Sequence, residues 1–470
     1  MFSYTPVGFL RPPAPPAPPA PAPGAEPINP DDAVITYDDG SGLSRDTACR
    51  NVLVTGQTGS GKTTSVIIPI AKNLIKFGLG GIIFDVKGNL RKDIYRIAKQ
   101  CGRQDDIIEY GSEKSANEAN LIENMPIHTI RGILTKFVFD ELSNPYNVSW
   151  MMRGVSVCTD ICEMLDILSK IDPQCHFSQQ FKPSLNLLES IINTKHLQYG
   201  LYIFFKEEMN RISKDKKYEE LYRKGVDILN RITDNKFHLL NDIDKRWDDN
   251  KQNQVTWNMQ RIRDQLYSIK MTNGILERFS KYGKTINFED LIYKQNKIIL
   301  IHFAIDSGRA GELISGIIKN LYYQAVIRNG LQYNKFSFML GDEFQYIIDV
   351  NKNTPLNDMD LFCISRQFKV INVIATQNIS SLLAKGESRA ILSLLGNCTS
   401  KIFLQNTDFE TLEWAAKHTN LAHYMRNLKR GEIIFESISN DGEIISKLTS
   451  VENEYKSANC EDELCTQQMV

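Results

Sequence analysis

No run in the sequence approaches the roughly 18 consecutive apolar residues that a membrane-crossing helix needs, so direct membrane insertion is not expected. The nine cysteines include no CxxC pair and no Cys/His set with zinc spacing, and no secretory leader opens the chain. Disulfide-scaffold and zinc-module classes drop out, and a reducing, cytoplasmic setting follows, with any membrane association made through a partner. Cys158 and Cys162, four apart in an expected helix, read as packing residues rather than ligands. Charge is also scarce in net terms: 55 basic against 56 acidic residues leave -1, without the basic footprint of a small nucleic-acid-binding module. A nucleic-acid partner would have to be met by a local groove or pore. There is no internal repeat. What remains, 42% hydrophobic and 24% charged over 470 residues, is an ordinary globular composition with room for about two to four domains.

Proline is abundant in one place. Eleven of the 17 prolines precede residue 31, ten of them in "RPPAPPAPPAPAPGAEPINP", which predicts an extended, coreless segment over 1–31, a tether or a docking strip for a protein partner. Apolar runs then read as strands: "NVLVT" (51–55), "GGIIFDV" (80–86), "KIILIHF" (297–303), "FSFMLGDE" (336–343), "VINVIAT" (370–376) and "SKIFLQ" (400–405). Continuous rather than alternating apolar character predicts a mainly parallel sheet covered by helices, an α/β core over 32–114 and 291–450. Between 115 and 290 the period becomes helical, as in "VSVCTDICEMLDILSKI" and "QVTWNMQRIRDQLYSI", which predicts an all-α insertion. Residues 431–450 read as a hairpin turning at Asn440, Asp441 and Gly442, and 451–470 as an acidic tail.

The chemistry begins in "LVTGQTGSGKTTSV". Gly56, Gly61, Lys62 and Thr63 form GxxxxGKT between a strand and a helix, so the loop Gly56, Gln57, Thr58, Gly59, Ser60, Gly61, Lys62, Thr63, Thr64 is a phosphate cradle. Lys62 would reach the β and γ phosphates of ATP, and the Thr63 hydroxyl would ligate Mg²⁺. A second acidic element should end a buried strand, and Asp342 and Glu343 do so: Asp342 for the metal shell, Glu343 to deprotonate water. Gln377, after "VINVIAT", stands at the carboxyl edge of the expected sheet, where it would sense the γ phosphate or position water, or else is an ordinary strand-end polar residue. Asp85 and Lys87 end the second strand at the same edge, though spacing alone assigns them no role. Arg366 is either a solvated surface arginine or a stabiliser of transition-state charge in a neighbouring subunit's site.

"GQTGSGKT", "IIFDVKGN", "FMLGDEFQ", "VIATQN" and "GNCTSKIFL", in this order, resemble the soluble ATPase part of the type IV secretion coupling proteins (TraD/TraG-type), within the FtsK–HerA superfamily. The passage "QVTWNMQRIRDQLYSI" to "TINFEDLIYKQNKIILIHF" is similar as well, and the resemblance covers roughly 48–420. It implies a RecA-like P-loop core interrupted by an all-α domain, a hexameric ring, and DNA translocation through a central pore. Residue by residue it implies Lys62 and Thr63 as P-loop positions, Asp342 and Glu343 as the metal and water-activating pair, Gln377 as sensor and Arg366 as a trans-acting arginine. Asp85, Lys87 and Gly88 match the family's second-strand motif, but Asn89 stands where an acidic residue or serine is usual. Membrane-bound coupling proteins begin with transmembrane helices, whereas this sequence begins with the proline segment, so a soluble form is expected. The alternative is an ATPase that couples or powers a protein complex, in secretion-substrate recruitment or a nuclease-associated DNA-processing or defence system. The basic residues Lys214, Lys216, Lys217, Arg223, Lys224 and Arg231 in the helical region read as a solvated face or as DNA contacts.

Overall fold

Strand β3 (Val52–Thr55) lies inside a nine-stranded sheet with β4 (Gly80–Asp85), β5 (Ile107–Gly111), β6 (Ile298–His302), β7 (Ser337–Asp342), β8 (Val370–Thr376), β9 (Ser400–Phe403), β10 (Glu432–Ile438) and β11 (Ile444–Ser450). The spatial order is β11-β10-β9-β3-β8-β7-β4-β6-β5, parallel from β9 to β5 and antiparallel at the β9/β10 and β10/β11 pairs. A separate antiparallel pair, β1 (Ala33–Thr36) and β2 (Gly42–Ser44), precedes it. This computed structural model describes residues 28–113, 115–138, 148–234, 249–351, 354, 356–438 and 443–451. The expected proline segment up to 27, the tail beyond 451 and the hairpin residues Asn440, Asp441 and Gly442 lie outside the described residues.

The period of two along each strand divides the sheet between two cores. Val52, Val54, Ile83, Leu300, Phe338 and Leu340 enter one, with Ile70, Ala71 and Leu74 of the helix Ile68–Lys76. Leu53, Ile82, Phe84, Ile299, Ile301 and Met339 enter the other. There they meet Ile314, Ile317, Ile318 and Leu321 of the helix Gly308–Tyr333. Because both faces are covered, the strands read as unbroken apolar runs, and each buried Ile or Leu contributes about 1.5–3 kcal/mol.

Between β5 and β6 the described residues contain helices and no strand, chiefly Ile127–Val138, Val148–Lys170, Leu185–Asn193, Lys195–Ile212, Glu219–Asp234 and Asp249–Lys270. Ile133, Phe137, Ile161, Leu165, Ile262 and Leu266 from these helices join the same core as the Leu53 face of the sheet. Three strands went unread in the sequence. β5 is an edge strand with one neighbour and carries the buried Glu109, and β1 and β2 are too short to show a period. Among the described residues no helix is long and apolar enough to cross a membrane.

Candidate nucleotide site

β3 enters the sheet between β8 and β9 and stops at Thr55, so the glycine loop starts at the carboxyl edge of the parallel strands. That edge is where open α/β sheets take ligands. Gly56 passes so close to its neighbours that an added Cβ would lie 2.6 Å from Ser60 Oγ and 2.7 Å from Leu404 Cβ. Gly59 and Gly61 have φ of 85° and 94°, a left-handed backbone that glycine adopts without strain. Lys62–Ile67 then forms a wide π-helical turn that runs into Ile68–Lys76. Thr55 Oγ1, Ser60 Oγ and Ser65 Oγ are buried with no hydrogen-bond partner among the described residues. Buried polar atoms are nearly always partnered, so three such hydroxyls around one loop mark a cradle shaped for polar atoms from outside.

β7 lies two strands away and ends in Asp342, and Glu343 follows in the left-handed region with φ 54°. The Glu343 carboxylate gathers donors from four segments. Lys87 Nζ donates to Oε1 at 2.6 Å, Gln345 Nε2 donates to Oε2 at 2.5 Å, and Gln377 Nε2 is 3.3 Å from both oxygens. Lys62 Nζ stands further off, at 3.6 Å from Oε1. Gln345 is itself fixed, since its Oε1 accepts the Thr376 hydroxyl at 3.1 Å. Gln377 is aimed by the residue after it: Asn378 caps Ile379–Leu383 by accepting the Ser381 N–H at 2.7 Å. Burial alone would raise the Glu343 carboxyl, but Lys62, Lys87 and Gln345 outweigh it and hold the group below the ordinary glutamate range.

Asp342 behaves in the opposite sense. Burial raises it, Lys62 opposes, and Glu343 and Asp85 push it further up. Asp85 and Asp342 are register partners on β4 and β7, so two carboxyl groups end neighbouring strands. Asp85 Oδ2 accepts the Arg91 N–H at 2.8 Å, Oδ1 is buried and unpartnered, and burial raises this carboxyl too. Gly88 closes the intervening turn with φ 76°, where a Cβ would strike the His302 ring at 2.8 Å.

The structure therefore brings together Lys62, Lys87, Asp342, Glu343 and Gln377, with Asp85 beside them. Arg366 is not among them. It is exposed in the turn Ser365–Phe368 before β8, at the amino edge, some 20 Å from the carboxyl edge for a seven-residue strand. That turn is pinned by Ser365 Oγ, which donates to Asn51 Oδ1 at 2.8 Å. In the helical region Lys224 pairs with Glu220 at 2.7 Å, Lys217 with Asp172 at 3.8 Å, and Arg231 with Glu163 at 2.6 Å and Asp160 at 3.0 Å. Neighbours of the site without a sequence signal of their own are Gln345, visible only as the last letter of "GDEFQ", and Arg430, whose Nη2 lies 3.5 Å from Thr64 Oγ1.

A RecA-like α/β core carrying a glycine phosphate loop defines the class, a P-loop nucleoside triphosphatase fold. The particular likeness is to the coupling proteins. Residues 25–126 match the family described as Type IV secretory system Conjugative DNA transfer. Among solved structures, the bacterial conjugative coupling protein TrwBdeltaN70 in its unbound form aligns with a TM-score of 0.63 at 13% identity, over 91% of this chain and 90% of that one. The plasmid coupling protein TrwB in complex with ADP and Mg²⁺ gives 0.63 at 13% identity, over 90% and 89%. VirB4 of Thermoanaerobacter pseudethanolicus gives 0.51 at 14% identity, over 91% and 98%. No curated protein matches in sequence. The resemblance drawn from the motifs is thus met by a family match and by a shared fold along nearly the whole chain.

Proposed function

We propose that this chain is an ATP-hydrolysing motor of the conjugative coupling type, which assembles as a ring, a hexamer in the fullest form of the reading, and moves DNA through its centre. The observation that carries it is the convergence of Lys62, Lys87, Gln345 and Gln377 on one buried carboxylate beside a glycine loop whose hydroxyls Thr55, Ser60 and Ser65 have no partner among the described residues. In this reading residues 32–114 and 291–450 form the ATPase core and 115–290 an inserted unit, working in the cytoplasm.

The backbone N–H groups of Gly56–Thr64 hold the phosphates, and Lys62 leaves its distant contact with Glu343 for the β and γ oxygens. Glu343 then accepts the proton of the attacking water, while Gln345 and Gln377 keep its plane fixed. Two adjacent carboxyl groups with a threonine hydroxyl suit Mg²⁺, which takes one or two carboxylates and completes its shell with water and phosphate. No group of three or more His, Cys, Asp or Glu among the described residues offers a fuller cage. Thr63 and Asp342 would hold the ion, and Asp85 would stand beside it. Bound there, it would neutralise charge on the phosphates. Placed at the amino edge, Arg366 reaches a nucleotide only on a neighbouring chain, which agrees with a trans-acting role and requires the ring.

Three measurements test this. Saturating DNA should stimulate ATP turnover, particle mass should rise to a ring with ATP and DNA, and mixed Arg366→Ala and Glu343→Gln subunits should recover activity that neither has alone. A persistent monomer with DNA-indifferent turnover would sink the translocase, and stimulation by a purified protein partner instead would favour the complex-powering alternative.

A further inference from the structure

Arg430 stands in the turn between Ala422–Asn427 and β10. β10 pairs with β9, and β9 pairs with β3, the strand that ends in the glycine loop. The turn therefore reaches the loop from the side opposite β8 and β7, away from Glu343. A Cβ on Gly61 would meet Arg430 Cγ at 3.1 Å and Nε at 3.6 Å, so the arginine stem lies on bare glycine backbone. Its Nη2 is carried to 3.5 Å from Thr64 Oγ1, the outer limit of hydrogen bonding. The side chain is exposed, and no ion pair with a described carboxylate occupies it.

The two cations thus meet the Gly61–Thr64 end of the loop from opposite sides. Lys62 Nζ points to Glu343 and marks the γ-phosphate end. Arg430 lies over Gly61 and beside Thr64, on the flank away from Glu343, and the loop N–H groups of a P-loop cradle the α and β phosphates. A guanidinium offers phosphate oxygens a planar pair of donors, which a hydroxyl 3.5 Å away does not use.

We infer that Arg430 binds the α-phosphate of a nucleotide held by the same chain, an inference that rests on the nucleotide site proposed above. It also gives Gly61 a second requirement beside its φ, because any side chain there would push Arg430 off the loop.

The test is calorimetric binding of ATP, ADP and inorganic tripolyphosphate to the full chain, wild type, Arg430→Ala and Arg430→Lys, with Lys62→Ala as control. Arg430→Ala should weaken all three by about tenfold, the scale of one charge-assisted hydrogen bond. Arg430→Lys should recover part of the loss, which a purely structural role would not show. Unchanged binding in Arg430→Ala overturns the inference, and so does weakening of ADP with tripolyphosphate unaffected, which would move the contact to the sugar or base. Failure of the wild type to bind any of the three overturns the nucleotide site itself, an outcome distinct from the other two.

Discussion

Two buried charge clusters follow strand β7, and they are built on opposite plans. In the second cluster Lys319 Nζ donates to Asp358 Oδ2 at 2.7 Å and also to the Ile347 carbonyl. The same carboxylate accepts the Tyr323 hydroxyl at 2.7 Å and the Asp349 N–H at 2.6 Å, and Lys136 pairs with Asp349 at 2.7 Å. Every charge there has close partners. Around Glu343, by contrast, Lys62 stands at 3.6 Å, and Thr55, Ser60, Ser65 and Asp85 each leave an oxygen unpartnered. A closed network spends its hydrogen bonds on the fold. An open one holds them for a ligand, and this distinction, rather than burial or charge, separates structure from function here.

The comparison can be broken most sharply at Glu343. Glu343→Gln should retain ATP binding while turnover falls by about a hundredfold or more, and unaltered turnover would remove Glu343 from proton transfer. Lys319→Ala should cost about 3–5 kcal/mol in urea unfolding, since it strands a buried carboxylate. Lys62→Ala should cost less than about 1 kcal/mol in the same assay, because Glu343 keeps its other donors, yet it should abolish tight nucleotide binding. Equal stability losses in these two variants would erase the difference between the clusters. Lys87→Ala should lower kcat by about tenfold with KM nearly unchanged, as expected for a group that acts through Glu343. A matching rise in KM would instead place Lys87 on phosphate.

The smallest effect is on pH. Burial would raise the Asp349 carboxyl, but Lys136 and Lys319 hold it below the ordinary aspartate range. A carboxyl lowered on folding contributes stability that is complete above its unfolded value, near pH 4, and is lost as pH falls through the folded value. Melting temperature should therefore decline below about pH 4 in the wild type and decline less steeply in Asp349→Asn. Identical acid slopes would show that Asp349 carries no such linkage.

Much of the site was legible because its residues sit in contiguous motifs at strand ends. The glycine loop, Asp342, Glu343 and Gln377 each follow an apolar run, and parallel strands deliver such ends to one edge. What was not legible depends on strand order. Lys87 meets Glu343 across 256 residues because β4 neighbours β7, and no spacing in the sequence announces that pairing. Arg430 reaches Gly61 only because the hairpin adds to the sheet beyond β9, next to the loop strand. Gln345 has no signal of its own in the sequence, and the fold sets Thr376 and Glu343 on either side of it. β5 escaped for a different reason: an edge strand needs only one apolar face, so its five residues carry no unbroken run.

The helix Gly308–Tyr333, about 39 Å long, carries Lys319 at its middle and packs against both the sheet and the helical region. It acts as a keel. With Lys319 riveted to the segment that follows Glu343, and the apolar interior running through it without a break, the two halves of one chain cannot slide past each other in small steps. Under the motor function proposed above, work drawn from a nucleotide at Lys62 would then emerge as displacement of one whole chain against the next, with Arg430 and Arg366 on opposite sides of that joint.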